Sequence, residues 1–86
     1  MDLNDVISRV DQILIDEFEL DEAQVVPAAV LREDLDLDSL DALDLIVLLE
    51  KEFQVTVNED ELLTLTTVSD VHEYVRQLFS KAEHDA

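Results

Sequence analysis

Apolar residues recur at spacings of three and four from Leu3 to Phe18: Leu3, Val6, Ile7, Val10, Ile13, Leu14 and Phe18. That period lays them along one face and predicts an amphipathic helix. Asp2 stands where an N-cap belongs, with Asp5 three residues on as a weaker capping-box partner. Between Glu19 and Asp38 the period is lost, and Pro27 interrupts any helix there. Val25, Val26, Val30, Leu31, Leu35 and Leu37 are expected to pin this stretch to the core as scattered anchors. A loop of about 20 residues is unusual in a compact domain and is often functional.

The helical period returns at Ser39 or Leu40 and runs to about Phe53, with Asp38 as the natural N-cap and Asp41 at the third helical position. A short third helix is predicted after Asn58, with Glu61 as reciprocal cap partner and Leu62, Leu63 or Leu65 as anchors. The fourth starts after Thr67, where Thr67-Val68-Ser69-Asp70 has capping-box spacing. Its apolar face is Val68, Val71, Val75, Leu78 and Phe79. The polar tail 80–86 is expected to fray. Glycine is absent, whereas tight hairpins favour it. The expectation is one all-α domain over residues 1–86. It is a four-helix bundle with a short third helix and a long loop between helices one and two.

The second helix has an unusual distribution. At 100° per residue, Ala42, Leu45, Ile46, Leu49 and Phe53 fall on one side, enough to face the core. Leu40 and Val47 fall opposite, with Leu43 on their flank, beside Asp41, Asp44 and Lys51. An apolar stripe edged by carboxylates is costly to leave in water unless something docks on it. The alternative is a helix buried on both sides, for which a domain of 86 residues has few covering elements.

Charge narrows the partners. The chain carries 23 acidic and 5 basic residues, a formal net charge of −18. A basic phosphate-binding patch is thereby excluded as a basis for nucleic-acid binding, and anionic membrane surfaces are disfavoured. Partners with basic docking patches are favoured, by an attraction that salt weakens. There is no cysteine, so no disulfide, thiolate nucleophile or Cys-type metal site. No segment reads as a signal peptide or membrane span. The expected setting is cytoplasmic.

The run DLDLDSLDALDL, Asp34 to Leu45, sets one hydroxyl, Ser39, among five aspartates. A serine at a helix start is ordinarily a cap. Catalysis has no support here: there is no Gly-x-Ser-x-Gly elbow, and the histidines are His72 and His84. Asp34, Asp36 and Asp38 match the first spacings of an EF-hand loop. The pattern then fails, with Ser39 at the glycine position and Leu45 at the final acid position. No metal site is expected. One further role fits a hydroxyl at a helix N-terminus: carrying a phosphodiester, which the helix dipole and free N–H groups favour there.

The segment LREDLDLDSLDALDLIVLLEKEF, followed by VTVNEDELLTLTTVSDVHEYV, resembles the acyl carrier protein family over nearly the whole chain. The resemblance implies a four-helix bundle and a carrier with no catalysis of its own. It implies that Ser39 bears 4′-phosphopantetheine, installed from coenzyme A by a magnesium-dependent phosphopantetheinyl transferase. The terminal thiol would hold acyl groups as thioesters, which explains how a cysteine-free chain does thiol chemistry. Asp38 is the adjoining motif acid. Leu40, Asp41, Leu43, Asp44 and Val47 would form the recognition helix. Its partners would be acyltransferase, ketosynthase, ketoreductase and dehydratase-type enzymes with basic patches. Leu45, Ile46, Leu49, Phe53, Val68 and Val75 could part to shelter an acyl chain. A monomer is the family expectation.

Several positions depart from the family pattern. Many members have glycine two or three residues before the serine, where this chain has Asp36-Leu37-Asp38, a less permissive loop. Lys51 stands where fatty-acid carriers often have an acid. Asn58 replaces a common proline, and His72 a commonly apolar residue. His72 reads as a satisfied, half-buried histidine; the other readings are a place near the acyl cavity or a pH-sensitive role. The expected pathway is type II fatty acid or related polyketide and specialised lipid synthesis. The short LDLDSLDALDL run is also similar to carriers of aryl-polyene pigment clusters. An aminoacyl or peptidyl carrier shares the same chemistry. An acidic binding module without a cofactor is the alternative of a different class.

Overall fold

The computed structural model describes residues 2–85, with side-chain surroundings described as far as Phe79. Four helices follow in order: α1 Leu3–Glu17, α2 Ser39–Phe53, α3 Glu59–Leu63 and α4 Val68–Asp85. The all-α bundle with a short third helix and a long first loop is therefore the observed architecture. The stretch expected to fray, 80–86, continues α4 as helix to Asp85, and its side chains and residue 86 lie outside the described residues. No helix among the described residues is long and apolar enough to cross a membrane.

Helix α1 faces the core through Val6, Val10, Ile13 and Leu14. Ile7 and Phe18 are only partly buried, and Leu3 is exposed. Asp2 caps the helix by accepting from the Asn4 N–H at 3.3 Å. Leu14 and Leu49 are fully buried at the centre with Val68, Val71 and Val75. Each such leucine contributes roughly 1.5–3 kcal/mol of burial free energy. Phe53 and Phe79 meet edge-on at 5.5 Å between ring centroids, closing one end of the core.

The stretch 19–38 is a tethered segment. Val25, Ala29 and Leu35 are its buried anchors, whereas Val26 is exposed and Val30, Leu31 and Leu37 are half-buried. Val30 bridges to Thr67, and the Leu31 N–H donates to the Thr66 carbonyl at 2.9 Å. The N–H groups of Val68 and Ser69 donate back to the carbonyls of Ala29 and Pro27, each at 3.0 Å. The loop thereby satisfies orphan donors at the start of α4, which a free helix end would give to water.

A chain without glycine has to make its left-handed turns with other residues. Glu19, Asp36 and Gln54 do so, at φ of 53°, 56° and 53°. Asp36 is one of the positions where the family resemblance leads one to expect glycine. Its short polar side chain is among those that tolerate this region best.

The caps of α3 and α4 differ. Asn58 caps α3, accepting from the Glu61 N–H at 3.0 Å. The reciprocal bond expected from Glu61 is replaced, because the Asn58 N–H donates to the Tyr74 hydroxyl oxygen at 3.0 Å. A buried α4 side chain therefore anchors the start of α3, and burial pushes the Tyr74 phenol above its ordinary range. At α4 the box is complete. Asp70 accepts from the N–H groups of Thr66 and Thr67 at 3.1 Å each, and Thr67 Oγ1 accepts from the Asp70 N–H at 3.2 Å.

Those backbone bonds to Thr66 and Thr67 hold the Asp70 carboxyl below its ordinary 3.8. A lowered folded-state pKa contributes stability above the unfolded value, lost as pH falls through the folded one. Asp70→Ala should lower the urea midpoint at pH 7. The gap from the parent should narrow as pH drops below about 4, where the parent loses the same carboxylate.

Candidate functional site

The start of α2 carries the site. Asp38 is the N-cap, and its Oδ1 accepts from the N–H groups of Leu40 and Asp41 at 3.0 Å each. Asp41 Oδ2 accepts in return from the Asp38 N–H at 3.1 Å. This reciprocal pair is a full capping box built from two aspartates. Ser39 is therefore the first residue inside the helix and has no capping task. It is exposed, and its hydroxyl makes no hydrogen bond among the described residues. The ordinary reading of a serine at a helix start is set aside by its neighbour.

Ser39 opens onto a cleft of about 350 Å³ between the first loop, α2, and α3 with the turn after it. Leu31, Leu37, Ala42, Leu45, Leu62 and Leu65 supply apolar wall, and Arg32, Glu33, Asp38 and Asp41 supply charge. Of the six residues expected to shelter an acyl chain, Leu45 alone lines this cleft. Ile46, Leu49, Val68 and Val75 lie in the closed core, and Phe53 is half-buried against Phe79. A chain reaching those five positions would have to part packed helices. The walls from Leu31 and Leu62 were legible only as loop and helix anchors, since nothing in their spacing places them beside Ser39, whereas Leu37 is two residues from it in sequence.

The second apolar stripe of α2 is open to solvent. Leu40 is 71% exposed, Val47 48% and Leu43 39%. A helix buried on both sides is thus overturned for these residues. Asp44 and Lys51 are exposed alongside, while Asp41 is half-buried and tied into the capping box. Leu63 of α3 is a further exposed leucine, at 45%.

The other aspartates of the run have local tasks. Asp34 Oδ2 accepts from the Val30 N–H at 2.7 Å, and Asp36 makes the left-handed turn. Among the described residues no cluster of three or more acids, histidines or cysteines is arranged to hold a metal ion. His72 lies away from the cleft. Its Nε2 is 2.6 Å from Asp11 Oδ1, so the pair ties α4 to α1.

Two comparisons bear on this geometry. The family described as "Phosphopantetheine attachment site" matches residues 8–75. The chain belongs to this family. An acyl carrier protein from Thermotoga maritima has the same fold, with a TM-score of 0.78 and 95% of each chain covered at 23% identity. The protein is a non-catalytic carrier with the acyl carrier fold, and its family bears covalently attached 4′-phosphopantetheine. The residues present fit that group. An exposed, unbonded hydroxyl stands beside a half-apolar cleft, at a helix start that does not need it.

If Asp38 is the cap and Ser39 is not, their truncations should separate. Asp38→Ala should cost about 1 kcal/mol of unfolding free energy, and Ser39→Ala less than about 0.5 kcal/mol. Equal losses in urea denaturation would contradict the assignment.

Proposed function

We propose that Ser39 is the attachment residue and that residues 1–86 act as one carrier domain, a cytoplasmic monomer, for type II fatty acid or related polyketide and specialised lipid synthesis. The observation that carries the reading is the release of Ser39 from capping by the Asp38–Asp41 box. When bound, the group supplies a thiol on a long flexible arm, where acyl cargo rides as a thioester. The chain's own task is to hold the hydroxyl in the open at a fixed point and to present a surface to enzymes.

That surface is the exposed face of α2. Leu40, Leu43 and Val47 offer apolar contact, and Asp38, Asp41 and Asp44 lend negative charge. A net charge of −18 steers a phosphopantetheinyl transferase, and then acyltransferase, ketosynthase, ketoreductase and dehydratase-type enzymes, through their basic patches. Each contact is shared among many partners and must be brief. Tethering raises the local concentration of cargo without a tight complex. Lys51, exposed near the end of α2, interrupts the negative stripe and narrows the partner set.

Incubation with coenzyme A, magnesium and a promiscuous phosphopantetheinyl transferase should add one phosphopantetheine to the intact mass. Ser39→Ala should gain nothing while keeping its helical circular dichroism. A folded, initially unmodified parent that gains no mass would sink the proposal.

A further inference from the structure

The cleft beside Ser39 contains a cation whose placement the carrier role does not use. Among the described residues, Arg9 is held by Glu52 and Arg76 by Glu73, as expected where acids outnumber bases 23 to 5. No such ion pair holds Arg32 or the exposed Lys51, and of these two only Arg32 lines the cleft. It is exposed and lines the same cleft as Ser39.

Its backbone is fixed there. The Leu31 N–H is tied to the Thr66 carbonyl at 2.9 Å, and the Asp34 N–H to the Val30 carbonyl at 2.8 Å. Asp34 Oδ2 closes the same turn on the Val30 N–H. Arg32 thus sits within a hydrogen-bonded turn and lines the same cleft as Ser39, with Leu37, Ala42 and Leu62 among its apolar residues. Glu33, beside it on the same wall, is the carboxylate nearest in sequence, yet the two form no ion pair. A guanidinium offers several donors in a planar fork and suits phosphate oxygens.

We infer that Arg32 is a positioning residue that holds the phosphodiester joined to Ser39 against this cleft, laying the first part of the arm along its apolar wall. The inference rests on Ser39 being the attachment residue. In this account the arm has a resting place on the loop side of α2, away from the Leu40 and Val47 stripe. Docking on that stripe and release of the arm are then separate events, and salt favours release by screening the guanidinium.

The test compares unmodified and phosphopantetheinylated protein by NMR, with intact mass confirming the modification. The Arg32 Nε–H resonance should move on modification, and the phosphodiester ³¹P resonance should move in Arg32→Gln. It should stay in place in Arg9→Gln, which removes a cation paired elsewhere. Arg32→Lys should recover only part of the ³¹P position, because an ammonium lacks the planar fork. A chain that gains the mass, with Arg32 Nε–H and the ³¹P resonance unmoved, overturns this inference alone. A chain that gains no mass overturns both readings.

Discussion

The reciprocal bond between Asp38 and Asp41 is the constraint on which the site depends. With the Leu40 N–H on the same Asp38 oxygen, it satisfies the N–H groups of the second and third residues of α2 and that of Asp38 itself. A helix start ordinarily uses its hydroxyl residue for this purpose. Here carboxylates on either side of Ser39 do the work. The hydroxyl is then rigidly placed yet chemically unspent, the combination an attachment point needs. The same bond limits Asp41 as a recognition residue, since one of its oxygens is occupied.

The loop before the site is held with similar economy. Its bonds to the start of α4 serve both elements at once, satisfying donors of the helix while fixing the turn that carries Arg32. The left-handed residues show what absence of glycine requires. Asp36 takes a conformation costing an ordinary residue roughly 1–2 kcal/mol, and the bonds on both sides of it hold the turn closed. In a domain of 86 residues with a net charge of −18, shared contacts of this kind offset a small core and strong self-repulsion.

Periodicity located α1, α2 and α4 because each buries one face against a common core, whereas the short α3 was placed by its Asn58 cap and the leucines after it. Val6, Val10, Ile13, Leu45, Ile46, Leu49, Val68, Val71 and Val75 are all buried, as their spacing implies. The exposed stripe of α2 was legible for the same reason, as a second apolar face with too few elements to cover it. Contacts between distant parts of the chain were not. Tyr74 displacing Glu61 at the α3 cap, His72 meeting Asp11, and Leu31 and Leu62 lining one cleft with Ser39 all arise from tertiary proximity. No local spacing encodes them. The capping box lay between these cases: Asp38 and Asp41 have the right spacing, but so did Asn58 and Glu61, and only the neighbours decide which box closes.

The start of α2 is held by Asp38 and Asp41 without help from Ser39. Amide exchange at Leu40 and Asp41, compared between the unmodified and the phosphopantetheinylated protein, tests it most directly. Protection should be the same in both forms, because the oxygen that accepts from these amides is on Asp38. Protection lost on modification would show instead that the Ser39 hydroxyl had been holding the helix start.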